Sequence, residues 1–299
     1  MSERFRAARI AILHGIVRRE EKLLIEAFGR AAEVDLVLLD EREMAFAPAS
    51  VYGFDAVLSR SVSFSRGLYA RRIFEARGVA CFNSARVAEI CGDKLLTSLA
   101  LESASVPQPE FRVAFDETAA LDAMEAMGFP VVLKPVVGSW GRLVARADDR
   151  DAAESLLEHR AALPSYMHHV YYLQRYINKG DKGGYDVRAF VVGERVVAAI
   201  RRWSASWRTN THRGGRAEGL AVKDDLASVC LSAARAVGGG MVAIDLFETG
   251  DGYLVNEVND TMEFRNSIET TGVDIPGAMV EHVLSRVRGG IEACGRLAS

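Results

Sequence analysis

The sequence predicts an α/β protein that begins with an open parallel sheet and continues with two α+β units. Residues 1–85 alternate apolar runs with amphipathic segments, which is the pattern of a parallel sheet covered by helices. Residues 86–170 combine helices with strands around a glycine-bearing turn. Residues 171–299 are rich in strands and contain a hairpin signal. We therefore expect three domains with these boundaries.

The amino-terminal unit contains four strand patterns separated by helical patterns. In chain order, the segments are ARIAIL (8–13), EEKLLIEAFGRA (20–31), EVDLVLL (33–39), FDAVLSR (54–60), SRGLYARRIFEARG (65–78) and VACFN (79–83). Ligands bind such sheets at the carboxyl ends of the strands. The first strand and turn, ILHGIVRREE, lack the G-x-G-x-x-G fingerprint, which argues against a nicotinamide-dependent oxidoreductase.

Helices and strands also alternate through the rest of the chain. The middle unit contains the helix DKLLTSLALESA (93–104) with Asp93 as its N-cap, the helix AALDAMEAMG (119–128), the strand FPVVLKPVV (129–137), the strand–turn–strand VVGSWGRLVARA and the helix DRDAAESLLEHR (149–160). The carboxyl-terminal unit contains the strands VYYLQRYI (170–177), YDVRAFVVG (185–193) and RVVAAIRRW (195–203), the helix LASVCLSAARAVG (226–238), and the strands MVAIDLF (241–247) and YLVNEVN (253–259). Gly193 and Glu194 predict a tight hairpin turn.

Composition is typical of a globular protein. The 299 residues are 49% hydrophobic and 26% charged, and the formal net charge of −3 gives no global basic field that would draw the chain to nucleic acid. The amino terminus lacks the apolar run of a signal peptide, and no stretch is as apolar as a membrane span. The cysteines form no C-x-x-C pair. We expect a cytoplasmic protein with reduced thiols and with neither a membrane nor a nucleic-acid partner.

The last two strands carry polar residues that a purely structural hairpin would not need. Side chains alternate along a strand, so Glu257 and Asn259 share a face. If Phe247 pairs with Val255, Asp245 lies directly opposite Glu257, with Cβ atoms about 5 Å apart. Carboxylates at that distance repel each other unless a cation lies between them, and with an amide oxygen they suit Mg²⁺. The hairpin therefore predicts a Mg²⁺–nucleotide site, and a solvated polar face is the alternative.

Basic residues and glycines upstream of the hairpin are suited to phosphate. Lys134 stands in the apolar run VVLKPVV, where an unpaired cation is costly to bury. Gly138 and Gly141 allow backbone N–H groups to approach a phosphate, although an ordinary hairpin fits this turn equally well. Lys94 lies at a helix start, where the helix dipole favours an anion. Segment 200–216 holds five arginines, two tryptophans and no acid, which suits a triphosphate, an acidic substrate or nucleic acid.

Seven segments form an ordered set of motifs. They are NSARVAEICGDKLLTSLAL (83–101), FPVVLKPVVGSWGRLVA (129–145), DVRAFVVG (186–193), TNTHRGG (209–215), VAIDLF (242–247), LVNEVNDTMEF (254–264) and TTGVDIPG (270–277). In order and spacing, the set resembles the ATP-grasp ligases, and most closely the group of the ribosomal protein S6 glutamate-adding ligase and the α-aminoadipate ligase of carrier-protein lysine biosynthesis. Two positions depart from that pattern. Arg175 stands where related ligases often carry Glu, and Asp260 where the lysine branch tends to have His.

The resemblance implies an ATP-grasp fold, with ATP held between the second and third domains, and it implies a role for each site residue. Phosphates would be held by Lys94, Lys134, Arg208 and Thr209 beneath the turn Gly138, Ser139, Trp140 and Gly141. Adenine and ribose would be held by Gln174, Arg175, Tyr176, Ile177 and Asp186. Catalysis would use Arg188, Arg202 and Asn210. One or two Mg²⁺, or Mn²⁺ in their place, would be bound by Asp245, Glu257 and Asn259. The substrate pocket would include Arg60, Ser63, Asn83, Asn266 and Thr270.

The reaction that the resemblance implies is the ATP-dependent joining of a carboxylate, activated as an acyl phosphate, to the amino group of glutamate or α-aminoadipate. The acceptor would end in a glutamyl carboxylate, on a small acidic carrier protein or on the glutamyl tail of a one-carbon coenzyme. A non-catalytic ATP-binding module on the same fold is a further alternative. We also expect a homo-oligomer, either a dimer or a tetramer.

Overall fold

Three β-sheets organise the part of the chain that the structure describes. This computed structural model covers residues 6–47, 52–138, 140–178, 184–204, 206–207 and 216–297. The amino-terminal unit consists, in order, of β1 (Ala8–His14), α1 (Arg19–Gly29), β2 (Val34–Asp40), β3 (Ala56–Ser59), α2 (Phe64–Glu75) and β4 (Ala80–Phe82). Its strands are parallel in the order β2-β1-β3-β4, so the predicted open parallel sheet is confirmed.

The middle of the chain forms an antiparallel sheet, and two of its helices pack into the core of that sheet. Its elements are α3 (Ala85–Gly92), α4 (Lys94–Ser103), β5 (Phe111–Ala114), α5 (Glu117–Met127), β6 (Val131–Lys134), β7 (Ala145–Ala147), α6 (Arg150–Ala161), a 3₁₀ helix (Tyr166–His169) and β8 (Tyr171–Arg175). The strand order is β5-β8-β6-β7. The sequence assigned β8 to the third unit, but its hydrogen bonds run to β5 and β6, so by pairing this strand belongs to the second sheet.

The third sheet is antiparallel and carries the longest strands. Its elements are β9 (Gly184–Val192), β10 (Arg195–Ser204), β11 (Arg216–Gly219), α7 (Asp224–Ala236), β12 (Met241–Thr249), β13 (Gly252–Asn259), α8 (Arg265–Thr271) and α9 (Ile275–Leu297). The strand order is β11-β10-β9-β12-β13. Gly193, with φ +60°, turns the chain between β9 and β10, and the predicted hairpin is confirmed there. The mixed α/β class is therefore also confirmed.

The first and third sheets share one hydrophobic core, whereas the second sheet has its own. The shared core joins Ile10 and Phe28 of the first unit to Phe190 and Val283 of the third. Helix α9 packs against α1, β1, β3, β9 and β10, and so fastens these two units together. The core of the second unit, built around Met124 and its neighbours, is a separate cluster. The boundary between these two bodies is therefore a natural place for a cleft.

None of the described helices has the length and apolar character needed to cross a membrane.

Asn83 ties the two ends of the third-unit hairpin to the first sheet. Its amide Nδ2 donates to the carbonyl oxygens of Met241 (2.8 Å) and Asp260 (2.7 Å), and its Oδ1 accepts from the Met241 backbone N–H (2.7 Å). The side chain is only 4% exposed. Residue 240 must be glycine here, because a Cβ on Gly240 would lie 2.1 Å from the Asn83 Oδ1 and the backbone has φ +99°. Asn83 was expected in the substrate pocket, but all its polar atoms are used in this structural tie.

We expect Asn83→Ala to lower the free energy of unfolding by roughly 2–3 kcal/mol, because it leaves buried backbone groups without partners. Urea unfolding followed by circular dichroism would measure the loss. Asn266→Ala is the matched control, since that asparagine is exposed and its removal should change stability by less than about 0.5 kcal/mol. Equal losses in the two variants would contradict the structural role of Asn83.

Candidate active site

Two adjoining cavities lie along one face of the third sheet. The first, of ≈ 150 Å³, lies between the second and third sheets, and we call it the small cavity. The second, of ≈ 270 Å³, extends from there towards the first unit, and we call it the large cavity. Their shared lining consists of Gly138, Trp140, Gly141, Arg202, Asp245 and Glu257. A molecule in one cavity can therefore react with a molecule in the other at this common wall.

The small cavity gathers the expected nucleotide-binding residues. Those that the structure describes and that line it are Lys94, Lys134, Gly138, Trp140, Gly141, Gln174, Arg175, Tyr176, Ile177 and Asp186. Ser139, Arg208, Thr209 and Asn210 lie outside the described residues. Trp207 also lines this cavity, close to Tyr176, and was not predicted as a site residue. The gathering follows from topology, because β6, β8 and the hairpin face each other across the cleft.

Lys134 is held ready for an anion by two neutral oxygens. The residue is buried at the end of β6, and its ammonium Nζ donates to Gln174 Oε1 at 2.6 Å and to Asn256 Oδ1 at 2.8 Å. Buried charges are stable only when they are hydrogen-bonded or paired. Both acceptors are neutral amide oxygens, and the ammonium adds a positive charge to the lining of the small cavity, which favours an anion there.

Lys94, at the start of α4, is another lysine that lines the small cavity. The predicted N-cap is confirmed, because the Asp93 carboxylate accepts from the backbone N–H groups of Leu95 (2.8 Å) and Leu96 (3.1 Å). The Lys94 Nζ donates to the Gly138 carbonyl at 2.8 Å and lies 3.8 Å from a Glu257 carboxylate oxygen. This contact connects the glycine turn to the hairpin, as a site for bridged phosphates requires.

The hairpin brings Asp245 and Glu257 together, but not by the predicted register. The two residues are directly opposite, so their expected pairing is confirmed. The supporting assumption was wrong, because Val255 pairs with Leu246 and not with Phe247. A β-bulge after Asp245 shifts the register by one residue at this point. The bulge lies at the common wall of the two cavities.

Asn256 is the extra residue of this bulge, and the bulge explains its role. In a regular strand Asn256 and Glu257 would point to opposite faces, whereas here both line the small cavity. Asn256 thereby reaches Lys134 across the cleft. Period-two alternation alone would place Asn256 on the face opposite to Glu257, away from the cavity.

Asp245 lies at the centre of a buried network of arginines. The Arg188 guanidinium donates to both of its carboxylate oxygens, at 2.7 and 2.8 Å, and an Arg202 nitrogen lies 3.1 Å from one of them. Arg202 in turn makes a bidentate pair with Asp186, with both distances 2.7 Å. Burial by itself raises the pKa of the Asp245 carboxyl, but Arg188 and Arg202 outweigh burial and lower this pKa to about 2. The carboxylate is therefore ionised at any physiological pH.

The hairpin residues fit a divalent cation that is completed by phosphate. Asp245 and Glu257 present carboxyl oxygens from directly opposite positions, and Asn259, which lines the same cavity, carries a neutral amide oxygen. The described residues hold no group of three His, Cys, Asp or Glu side chains arranged for a metal. Two carboxylates and an amide are too few for an all-protein cage, which agrees with the habit of Mg²⁺ to take its remaining oxygens from phosphate and water.

The large cavity contains residues that sequence reasoning missed. Ser63, a predicted substrate residue, lines it, and so do Arg18, Arg71, Asp260 and Glu263. Arg18 follows β1 and Ser63 follows β3, so both lie at the carboxyl ends of parallel strands, where ligands usually bind. That rule could have indicated Arg18. Arg71 lies within α2, and no sequence signal indicated that it faces the cavity.

Three other predicted substrate residues lie outside both cavities, in addition to Asn83. Arg60 is 1% exposed and donates from Nε to the buried carboxylate of Glu21 at 3.0 Å. Asn266 borders a separate cavity of only ≈ 20 Å³. Thr270 uses its hydroxyl to donate to the Asn266 carbonyl within α8. The structure therefore leaves Ser63 as the one substrate prediction that contacts the large cavity among the described residues.

Arg175 departs from related ligases, and the structure shows what its side chain does. The guanidinium forms an ion pair with Glu110 of the neighbouring chain segment, and the side chain is largely exposed. Its position in the small cavity is thus supported by the second sheet and does not depend on a contact with a nucleotide.

Two family models match the chain. A model of the RimK-like ATP-grasp domain matches residues 91–283, and a model of the LysX preATP-grasp domain matches residues 10–90. The join between them falls in α3, close to the border between the first and second sheets.

Similar proteins and structures span nearly the whole chain. The glutamate–LysW ligase ArgX of Sulfolobus acidocaldarius is 33% identical over 92% of this chain and 98% of its own length. The α-aminoadipate–LysW ligase LysX of Saccharolobus solfataricus is 34% identical over 78% of this chain and 85% of its own. A crystal structure of a RimK domain ATP-grasp protein from Sphaerobacter thermophilus has a TM-score of 0.76 at 30% identity, covering 93% of this chain and all of that one.

We expect Lys134→Met to weaken ATP binding by at least about tenfold, because a hydrogen bond from the lysine ammonium to a phosphate oxygen would contribute roughly 1.5–3 kcal/mol. Methionine keeps the apolar stem, so the fold should persist. Isothermal titration calorimetry with MgATP would measure the dissociation constant. Lys22→Met, on the exposed face of α1, is the control and should bind ATP like the wild type. Wild-type affinity in Lys134→Met would exclude phosphate contact by this residue.

Proposed function

Because the chain belongs to the RimK-like ATP-grasp family, we propose that it joins the amino group of an acidic amino acid to a glutamyl carboxylate at the end of a small carrier protein. It is an ATP-dependent ligase that forms an amide bond between a carboxylate and an amine, and members of this family use ATP and Mg²⁺. The two ligases named above act on LysW, one with glutamate and the other with α-aminoadipate. Either amino acid is a candidate substrate here.

The observation that carries this proposal is the common wall of the two cavities. A ligase of this kind must bring a nucleotide phosphate, a carboxylate and an amine to one point. The small cavity has the cationic and neutral donors for a nucleotide, and the large cavity has the mixed charges for a zwitterion and a peptide terminus. Asp245 and Glu257 line both cavities, so the transferred phosphoryl group would lie at the junction of the small and large cavities.

The proposed chemistry has two steps. A carboxylate oxygen of the acceptor attacks the γ-phosphorus of ATP, and ADP leaves, which gives an acyl phosphate. The amine nitrogen then attacks the acyl carbon, the carbon–oxygen bond to phosphate breaks, and the amine loses a proton. Arg188 and Arg202 would stabilise the charge on the transferred oxygens, since a guanidinium offers planar, multiple donors to phosphate. Catalysis would thus rest on positioning and charge neutralisation.

Mg²⁺, when bound, would neutralise charge on the β- and γ-phosphate oxygens. Asp245, Glu257 and Asn259 are the residues that would hold one or two such ions. Asp245 is bonded to Arg188 and Arg202 in the structure described here, so cation binding would compete with these arginines for its oxygens.

A direct test is a matrix of amino acids against acceptors, read by intact-mass spectrometry and phosphate release. We expect a mass gain equal to the amino acid less one water when glutamate or α-aminoadipate is mixed with a carrier protein ending in glutamate, MgATP and the enzyme. Glutamyl-tailed one-carbon coenzymes belong in the same matrix as the alternative acceptors. No product with any acidic amino acid would refute the proposal.

We expect Glu257→Gln to raise the Mg²⁺ concentration needed for half-maximal phosphate release by about tenfold or more, since loss of a carboxylate weakens a hard-cation site. Phosphate release at increasing Mg²⁺ and fixed ATP would measure the change. Glu269→Gln removes an equal charge from the exposed surface and should leave the Mg²⁺ dependence unchanged. An unchanged Mg²⁺ dependence in Glu257→Gln would remove this residue from the metal site.

A further inference from the structure

Asp260 is held rigidly at the edge of the large cavity, directly after β13. Its backbone carbonyl accepts from Asn83 Nδ2 at 2.7 Å. Its carboxylate Oδ2 accepts from an Arg71 guanidinium nitrogen at 2.7 Å and from the Thr261 hydroxyl at 3.3 Å. Within the described residues, no hydrogen bond engages the other oxygen, Oδ1. The side chain lines the cavity and is 17% exposed, and Oδ1 is the carboxylate oxygen that these contacts leave available to a ligand.

Arg71 fixes the orientation of this carboxylate from the first unit. Arg71 is 4% exposed, although it is a cavity-lining residue, and its Nε is buried without a partner within the described part of the chain. It therefore cannot swing out to solvent to follow a ligand without breaking a buried ion pair. The pair joins α2 of the first unit to the residue after β13 in the third, and it fixes the carboxylate beside the cavity through Oδ2.

The other carboxylates of the large cavity are engaged differently. Asp245 is bonded at both oxygens by Arg188, and Glu257 faces the shared wall. Glu263 accepts a hydrogen bond from Arg18 at 3.1 Å and also borders the separate cavity of ≈ 20 Å³. It lies farther along the chain from the hairpin than Asp260 does. Asp260 follows Asn259 directly and lines the large cavity but not the small one. It is therefore a carboxylate close to the common wall that does not face the proposed nucleotide site.

We propose that Asp260 binds the ammonium group of the amino-acid substrate through Oδ1, with Arg71 as the residue that positions it. This inference rests on the proposed function and adds the residue that recognises the amine. A carboxylate would repel the acidic groups of the substrate, whereas it attracts an ammonium and can accept several hydrogen bonds at once. The site therefore discriminates an amino acid from the same diacid without its amino group.

The test compares each amino acid with its analogue that lacks the amino group. Dissociation constants would be measured by calorimetry for L-glutamate against glutarate and for L-α-aminoadipate against adipate, with Mg²⁺ and a non-hydrolysable ATP analogue present. We expect the wild type to prefer the amino acid by roughly ten- to a hundredfold, as a charge-assisted hydrogen bond provides. We expect Asp260→Asn to reduce that preference to about threefold or less, with KM for ATP unchanged.

Glu263→Gln is the matched control within the cavity and should keep the discrimination, whereas Glu281→Gln controls for surface charge. If Asp260→Asn unfolds because Arg71 is left unpaired, the neutral pair Arg71→Gln with Asp260→Asn replaces it. Unchanged discrimination in either Asp260 variant, or its loss in Glu263→Gln alone, would overturn the inference, and so would a wild type that binds the diacids as well as the amino acids. If the wild type binds no acidic amino acid at all, the proposed function fails, and the inference fails with it.

Discussion

The candidate site depends on one buried carboxylate, that of Asp245. Its neighbours across the strands are Arg188 on one side and Glu257 on the other, and Arg202 approaches from the next strand. A carboxylate so deep in a sheet would be neutral if it were alone, because burial disfavours its charge. The arginines keep it ionised, and breaking such a buried pair from one side is costly. Every other element of the site is arranged around this fixed negative charge.

The arrangement of cores explains why the site lies where it does. The first and third sheets share one core, closed by α9, while the second sheet has a separate one. Apolar packing therefore holds the β12–β13 hairpin and most of the lining of the large cavity in one body. Lys134 belongs to the other body and contacts the hairpin through a hydrogen bond to Asn256. A cleft bridged by hydrogen bonds can accommodate a ligand more readily than one filled by apolar side chains, because polar groups can exchange partners.

The first unit serves the site as well as the fold. Asn83 uses its whole amide to hold the start of β12 and the residue after β13, which are the two outer ends of the β12–β13 hairpin. Arg71 then holds the side chain of the same residue, Asp260. No described residue of this unit lines the small cavity, yet the unit sets the geometry of the hairpin and supplies part of the lining of the large cavity. The proposed discrimination of the amine relies on that support.

The sequence by itself determined the parts of this protein that are written in local patterns. Alternation of apolar runs predicted the parallel sheet, the turn at Gly193 predicted its hairpin, and contiguous motifs predicted the residues that line the small cavity. The register beyond Asp245 was decided by a bulge, which period-two alternation does not encode. The roles of Arg60, Asn83 and Arg71 were set by tertiary structure, because their hydrogen-bond partners lie far away in the chain. Arg71 and Asp260, for example, are 189 residues apart. A polar residue looks the same in sequence whether it faces a ligand or a distant backbone group, and only the packing of the units determines which of the two it meets.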